Sequence, residues 1–169
     1  EGEVIAYNNP PYAKFAEKGI AARYAGGRLP NVQQVTSTIE ALELEPASLD
    51  AAIFVMSYHD LYWRPADGSW PPTDPAQLLA KLHAALKPGG YYVIIDHSAA
   101  AGSGIRDVDT LHRIDAAAVK AEVTSVGFKF AGESKLLANK ADDRTKSVFA
   151  PGVQGKTDQF VYRFIKPKK

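Results

Sequence analysis

The stretch from Asp74 to His97, DPAQLLAKLHAALKPGGYYVIIDH, constrains the fold more than any other part of the chain. Asp74 is placed to cap a helix, Pro75 suits a first helical turn, and Gln77 stands at capping-box spacing. Leu78, Leu79, Leu82, Ala85 and Leu86 recur at three- and four-residue steps, which makes one apolar helical face. Pro88 forbids continuation of the helix, and Gly89-Gly90 allow the backbone to reverse. Tyr91–Ile95 shows no alternation of apolar and polar residues, as expected of a strand covered on both faces. Helix, tight turn and buried strand form the αβ half of a βαβ unit, so the sequence predicts an α/β fold with a mostly parallel sheet.

The remaining segments extend that pattern. Val4–Tyr7 reads as a short strand, and Asn8-Asn9-Pro10-Pro11 closes it and starts a helix, with Tyr12, Phe15, Gly19 and Ala22 on one face. Gly26-Gly27 end that helix, and Val32–Val35 is a second strand. Ala51–Met56, entered from Leu49-Asp50, is apolar on both sides. The run 64–73, RPADGSWPPT, reads as an ordered loop, and Asp115 caps a helix over Ala116–Ser125 with Val119 and Val123 facing the sheet. Phe128–Leu137 and Thr157–Ile165 are strands with no helix between them, which predicts an antiparallel hairpin at one sheet edge. The whole chain, 1–169, reads as one domain.

Composition narrows the function. Twenty basic and nineteen acidic side chains leave a net charge of +1, so no global field selects nucleic acid or a membrane surface. The chain has no cysteine, which removes disulfides, thiolate metal sites and a cysteine nucleophile. No apolar run approaches the ~20 residues of a membrane helix. The single methionine, Met56, lies mid-chain, and the chain opens almost directly into a strand. The expectation is of an N-terminally cut sequence, whose compartment cannot be read.

In an open α/β sheet, ligands sit beyond the carboxyl ends of the strands. Tyr7-Asn8, Ser37-Thr38-Ile39, Ser57-Tyr58-His59-Asp60 and Asp96-His97 all fall at such ends. His59 beside Asp60 has the chemistry of a general base, since imidazole titrates near ~6.5; the pair can equally tie down its loop. Asp96-His97 could act in the same way or anchor the Ser98–Gly104 loop. Arg113, beside His112, can hold an anion or pair with Asp109 or Asp115. Tyr58, Tyr62, Trp63 and Trp70 can wall an apolar pocket or pack. His83, mid-helix, reads as solvated or packing. His59, His97 and His112 permit a metal site, but their spacing matches no compact ligand motif, so no metal is expected.

Taken together, LDAAIFVMSYHDLYW, LKPGGYYVIIDHSAAAGSG, DTLHRID and GKTDQFVYRF resemble class I S-adenosylmethionine-dependent methyltransferases, in particular a group of predicted bacterial members with the YHDL segment and the DHSAAAGSG run. The resemblance covers essentially the whole chain, from the family's strand two to strand seven. It implies a Rossmann-like sheet with an antiparallel last strand, and methyl transfer from S-adenosylmethionine to a small-molecule acceptor. It further implies cofactor binding at Tyr7, Asn8, Thr38, Ile39, Ser57 and Tyr58, catalysis at His59, Asp60 and His97, and substrate binding at Tyr62, Trp63, His112 and Arg113. The family's first strand and glycine-rich loop have no counterpart: no G-x-G-x-G occurs in the chain. Unpaired backbone in the resulting gap would cost about 1–3 kcal/mol per group. A second chain, a swapped segment or a rearranged sheet is therefore expected there. Asn8 stands where many members carry an acidic residue for the ribose, which weakens that contact. The alternatives are a non-catalytic binding domain on the same fold, or a histidine-based metal-dependent hydrolase.

Overall fold

Strand β1 (Val4–Asn8) runs into Asn9, whose side-chain oxygen accepts from the Tyr12 amide at 2.8 Å and caps helix α1 (Pro10–Phe15). The structure is a computed structural model describing residues 2–168, and it separates into two units, Glu1–Glu43 and Leu44–Lys169. In the first unit the chain breaks at Ala16, continues as helix α2 (Glu17–Tyr24), and tightens into a 3-10 turn over Ala25–Gly27. Strand β2 (Val32–Thr36) returns parallel to β1, with Val4 opposite Val32 and Asn8 opposite Thr36. The single helix expected here is thus two, and neither has a buried residue, Phe15 being 87% exposed.

The second unit holds a four-stranded sheet. Its strands are β3 (Leu49–Val55), β4 (Leu86–His97), β5 (Lys129–Ser134) and β6 (Gln159–Ile165), in the order β3-β4-β6-β5. β3 and β4 are parallel; β6 is antiparallel to both β4 and β5, which gives the antiparallel C-terminal edge. Helix α3 (Pro75–Ala85) connects β3 to β4, and the short α4 (Val108–Leu111) and α5 (Ala116–Ser125) follow. None of the helices described is long and apolar enough to cross a membrane.

Local capping follows the sequence closely. Asp74 accepts from the amides of Ala76 and Gln77 at 2.9 and 3.2 Å, and Asp115 accepts from Ala117 at 2.9 Å. The capping box is only half made, because Gln77 Oε1 is buried without a partner. Leu78, Leu79 and Leu82 of α3 and Val119 and Val123 of α5 are buried, each leucine contributing roughly 1.5–3 kcal/mol of transfer free energy. Tyr92, Ile94 and Phe164 of the sheet are buried as well, and the rings of Tyr92 and Phe128 lie 5.5 Å apart.

The helix ends at Ala85, ahead of Pro88, and 87–90 bulges out of the ladder: Leu86 pairs with Leu49 but Tyr91 with Ala51. Gly89 takes a φ of 88° there; its amide donates to Lys166 O at 2.8 Å, and the Lys166 amide donates to Gly90 O at 2.9 Å. Gly90 is needed for a close approach, since a Cβ there would lie 2.9 Å from Lys87 O and 3.1 Å from Asp50 O. One strand expectation is corrected: β3 is not covered on both faces, for Ile53 and Val55 are 63% and 54% exposed while Phe54 between them is half-buried. The 64–73 run is ordered as expected: Trp70 is buried and donates to Asp60 O at 3.0 Å, and Arg64 donates to the carbonyls of Leu61, Trp63 and Thr73.

Candidate active site

Because β3 and β4 are parallel and Val55 lies opposite Ile95, both chains leave the sheet at the same edge. The Met56 amide donates to Ile95 O at 2.8 Å, and a positive φ of 53° at Met56 turns the chain toward the 3-10 turn His59–Leu61. Asp96, one residue beyond Ile95, is thereby level with that turn. Its carboxylate is fully buried and accepts from the His59 amide at 2.9 Å, from His59 Nδ1 at 2.7 Å and from the His97 amide at 2.7 Å. A carboxylate only accepts, so Nδ1 carries the proton and Nε2 is the free ring nitrogen. Asp60 Oδ1 lies 3.3 Å from that nitrogen.

Two more imidazoles complete the cluster. The His97 ring lies 5.9 Å from that of His59, with its Nδ1 2.8 Å from Thr157 Oγ1. The His112 ring stands edge-on to His59 at 5.5 Å and packs on Trp63 and Phe149, each at 5.0 Å. His112 is the left-handed C-cap of α4, at φ 52° and ψ 47°, a conformation costing a non-glycine residue roughly 1–2 kcal/mol.

Burial and charge pull these groups apart electrostatically. Burial disfavours the charged form of His59, but the charge and hydrogen bond of Asp96, with Asp60 behind them, raise it above the ordinary imidazole value. Burial lifts Asp60 to about 6, against the pull of His59 and with the push of Asp96. His97 is brought down to about 4, chiefly by burial, and His112 is lowered by burial and by the neighbouring His59. The carboxylates thus favour the protonated form of His59, while burial favours the neutral forms of His97 and His112.

Other expected site residues are engaged elsewhere. Tyr58 is fully buried, and its hydroxyl and that of Tyr62 both donate to Glu122 of α5. Arg113, expected to hold an anion or to pair with Asp109 or Asp115, is buried and pairs with Asp142. Trp63 remains a half-buried wall, 5.2 Å from Trp70. His83 packs edge-on against Phe128 at 4.9 Å, as expected. In the first unit the Tyr7 hydroxyl donates to Ser37 O at 3.0 Å, Thr38 Oγ1 accepts from the Ala41 amide at 3.3 Å, and Ile39 is core. Asn8 and Ser57 are half-buried at the ends of β1 and β3. Ser37 Oγ is the buried polar atom there without a partner.

Glu122, Asp142 and the hold of Asp96 on His59 were missed from sequence. Only the last had a signal. Once β3 and β4 are taken as adjacent and parallel, the residue ending one strand must face the loop leaving the other.

An α/β fold with parallel strands and an antiparallel C-terminal edge is of the Rossmann-like class. Residues 9–94 match the profile of the methyltransferase-domain family, and the chain belongs to that family. No curated protein matches it. Among solved structures it is similar to the glycopeptide N-methyltransferase MtfA complexed with S-adenosyl-L-homocysteine, at 13% identity over 98% of this chain and 73% of that one, TM-score 0.60. It is also similar to the [4+2]-cyclase SpnF, at 14% identity over 100% and 76%, TM-score 0.59. A third is an S-adenosylmethionine-dependent methyltransferase from Thermotoga maritima, described as a possible histamine N-methyltransferase, at 17% identity over 98% and 83%, TM-score 0.56. At these identities the likeness shows the fold alone, and a cyclase among the neighbours shows that the fold does not dictate one reaction.

Proposed function

We propose that the chain transfers a methyl group from S-adenosylmethionine to a small-molecule acceptor held at the His59 cluster. The observation that carries this reading is the family match over residues 9–94, which includes the loop bearing His59 and Asp60. The cofactor supplies an electrophilic methyl when bound. Nothing in the sequence supplies a glycine-rich loop for the methionine half.

The protein's own contribution is position and proton handling. Asp96 fixes the His59 ring, so that Nε2 presents a lone pair to an acceptor's proton and Asp60 stands beside the imidazolium that forms. Trp63 and His112 offer flat faces that orient a small acceptor and exclude water.

Calorimetry with S-adenosylmethionine and S-adenosylhomocysteine, followed by transfer of a labelled methyl group to a panel of small acceptors, tests the reading. In His59→Ala, binding should persist while transfer falls by roughly 10²–10⁴-fold. Binding of neither molecule would refute methyl transfer. Binding with no transfer to any acceptor would favour the non-catalytic domain.

A further inference from the structure

We propose that His59, Asp60 and His112 form a binding site for one divalent transition-metal cation. One donor atom from each of the three lies within 4.8 Å of the other two, although His112 is over fifty residues from His59 in the chain. His59 Nε2 and Asp60 Oδ1 are 3.3 Å apart. Two ligands at ~2.1 Å from a tetrahedral centre stand about 3.4 Å apart, so this pair is already spaced to share a cation.

The surroundings are those of a metal-ligating imidazole. Such a histidine must be neutral at the coordinating nitrogen and usually donates its other N–H to a carboxylate, which fixes tautomer and ring orientation. Asp96 does this for His59 at 2.7 Å, and it also accepts the His59 backbone amide, so ring and backbone are held by one buried group. The free Nε2 then faces Asp60 Oδ1, and two electron-rich atoms at that separation repel unless a proton or a cation lies between them. His112 is held against Trp63 and Phe149, and so keeps its imidazole beside that of His59. His97 is not one of the three residues whose donor atoms converge.

Two imidazoles and one carboxylate suit zinc, iron(II) or cobalt better than calcium or magnesium, and three ligands leave coordination positions open for water or an acceptor oxygen. The site rests on this geometry and stands whether or not the chain transfers methyl groups. A cation and a proton compete for the same Nε2 lone pair, so the metal-bound form would carry out acceptor activation in place of the imidazole.

The test uses the full chain, treated with chelator and titrated by calorimetry with zinc(II), cobalt(II) and manganese(II), cobalt also being followed by its visible absorption. One equivalent of zinc or cobalt should bind, more tightly than manganese. His112→Gly, which suits the left-handed backbone, and Asp60→Asn should each weaken binding by at least about tenfold, and Asp96→Asn by roughly 10–100-fold without altering a ligand. His83→Ala should leave affinity unchanged. Circular dichroism confirms that each variant is folded; should Asp96→Asn not fold, the His112 and Asp60 variants decide alone. The proposal is overturned if folded wild-type protein binds none of the three ions at one equivalent. Unchanged affinity in the His112→Gly, Asp60→Asn double variant overturns it equally. Cofactor calorimetry without metal is a separate readout, so failure here leaves the methyl-transfer reading intact, and the converse holds.

Discussion

Arg113→Met separates a structural arginine from a ligand-binding one. The guanidinium is fully buried and donates to Ser98 O at 3.0 Å, to Lys146 O at 2.9 Å, and to both carboxylate oxygens of Asp142 at 2.8 and 3.1 Å. Asp142 is itself 4% exposed and accepts the Asp158 and Arg144 amides. Methionine fills much of the volume but leaves a buried carboxylate without its counter-charge, a change that costs about 3–5 kcal/mol. For a chain of this length each kcal/mol lowers Tm by roughly 2–4 °C, so the expected fall is about 6–20 °C. The control is Lys87→Ala. Its Nζ is 2.7 Å from Asp50 Oδ1, no farther than Arg113 from Asp142, but the two side chains are 46% and 85% exposed. That pair should contribute less than about 1 kcal/mol. Urea unfolding of both variants makes the comparison. If the two lose the same small amount, burial is not what gives the Arg113 pair its strength and the reasoning is wrong. Near-native stability with lost ligand binding would restore the anion-holding role that the sequence suggested.

The acid limb of stability should report the same pair. Burial works against ionisation of Asp142, but its bonds from Arg113, Asp158 and Arg144 win and hold it below its ordinary 3.8. A depressed carboxyl stabilises the fold above its unfolded pKa and loses that contribution as pH falls through the folded one. The stability gap between wild type and Asp142→Asn should therefore be full at pH 6 and close below about pH 4 in urea titrations at each pH. A gap constant across that range would contradict the assignment. At Gly90 an added Cβ meets backbone oxygens, so Gly90→Ala should destabilise by about 1–3 kcal/mol. Gly19 in α2 has open space, and Gly19→Ala should stabilise by about 0.5–1 kcal/mol, read as opposite shifts in urea midpoint.

What could be read from the sequence was what the chain settles locally. Asp74 and Asp115 cap helices through amides two or three residues away, so the α3 and α5 starts were visible in the residues themselves. Lys-Pro-Gly-Gly marked the end of the helix and a glycine with positive φ, but its hydrogen bonds to Lys166, just past the end of β6, had no local signal. The apolar run of β3 misled: it has the composition of a covered strand, yet one of its faces is left half open. The phenols of Tyr58 and Tyr62 find Glu122 at sixty residues or more, and Arg113 finds Asp142 at twenty-nine, so no local pattern announces either partnership. The His59–Asp96 contact lies between these cases. Its two residues are thirty-seven apart, but a helix between two apolar strands implies parallel pairing, and parallel pairing brings both carboxyl ends to one edge. Antiparallel pairing would have carried Asp96 to the opposite end of the sheet and left His59 without its carboxylate. The orientation of one ring nitrogen thus follows from the direction in which β4 runs, and that direction is set by α3.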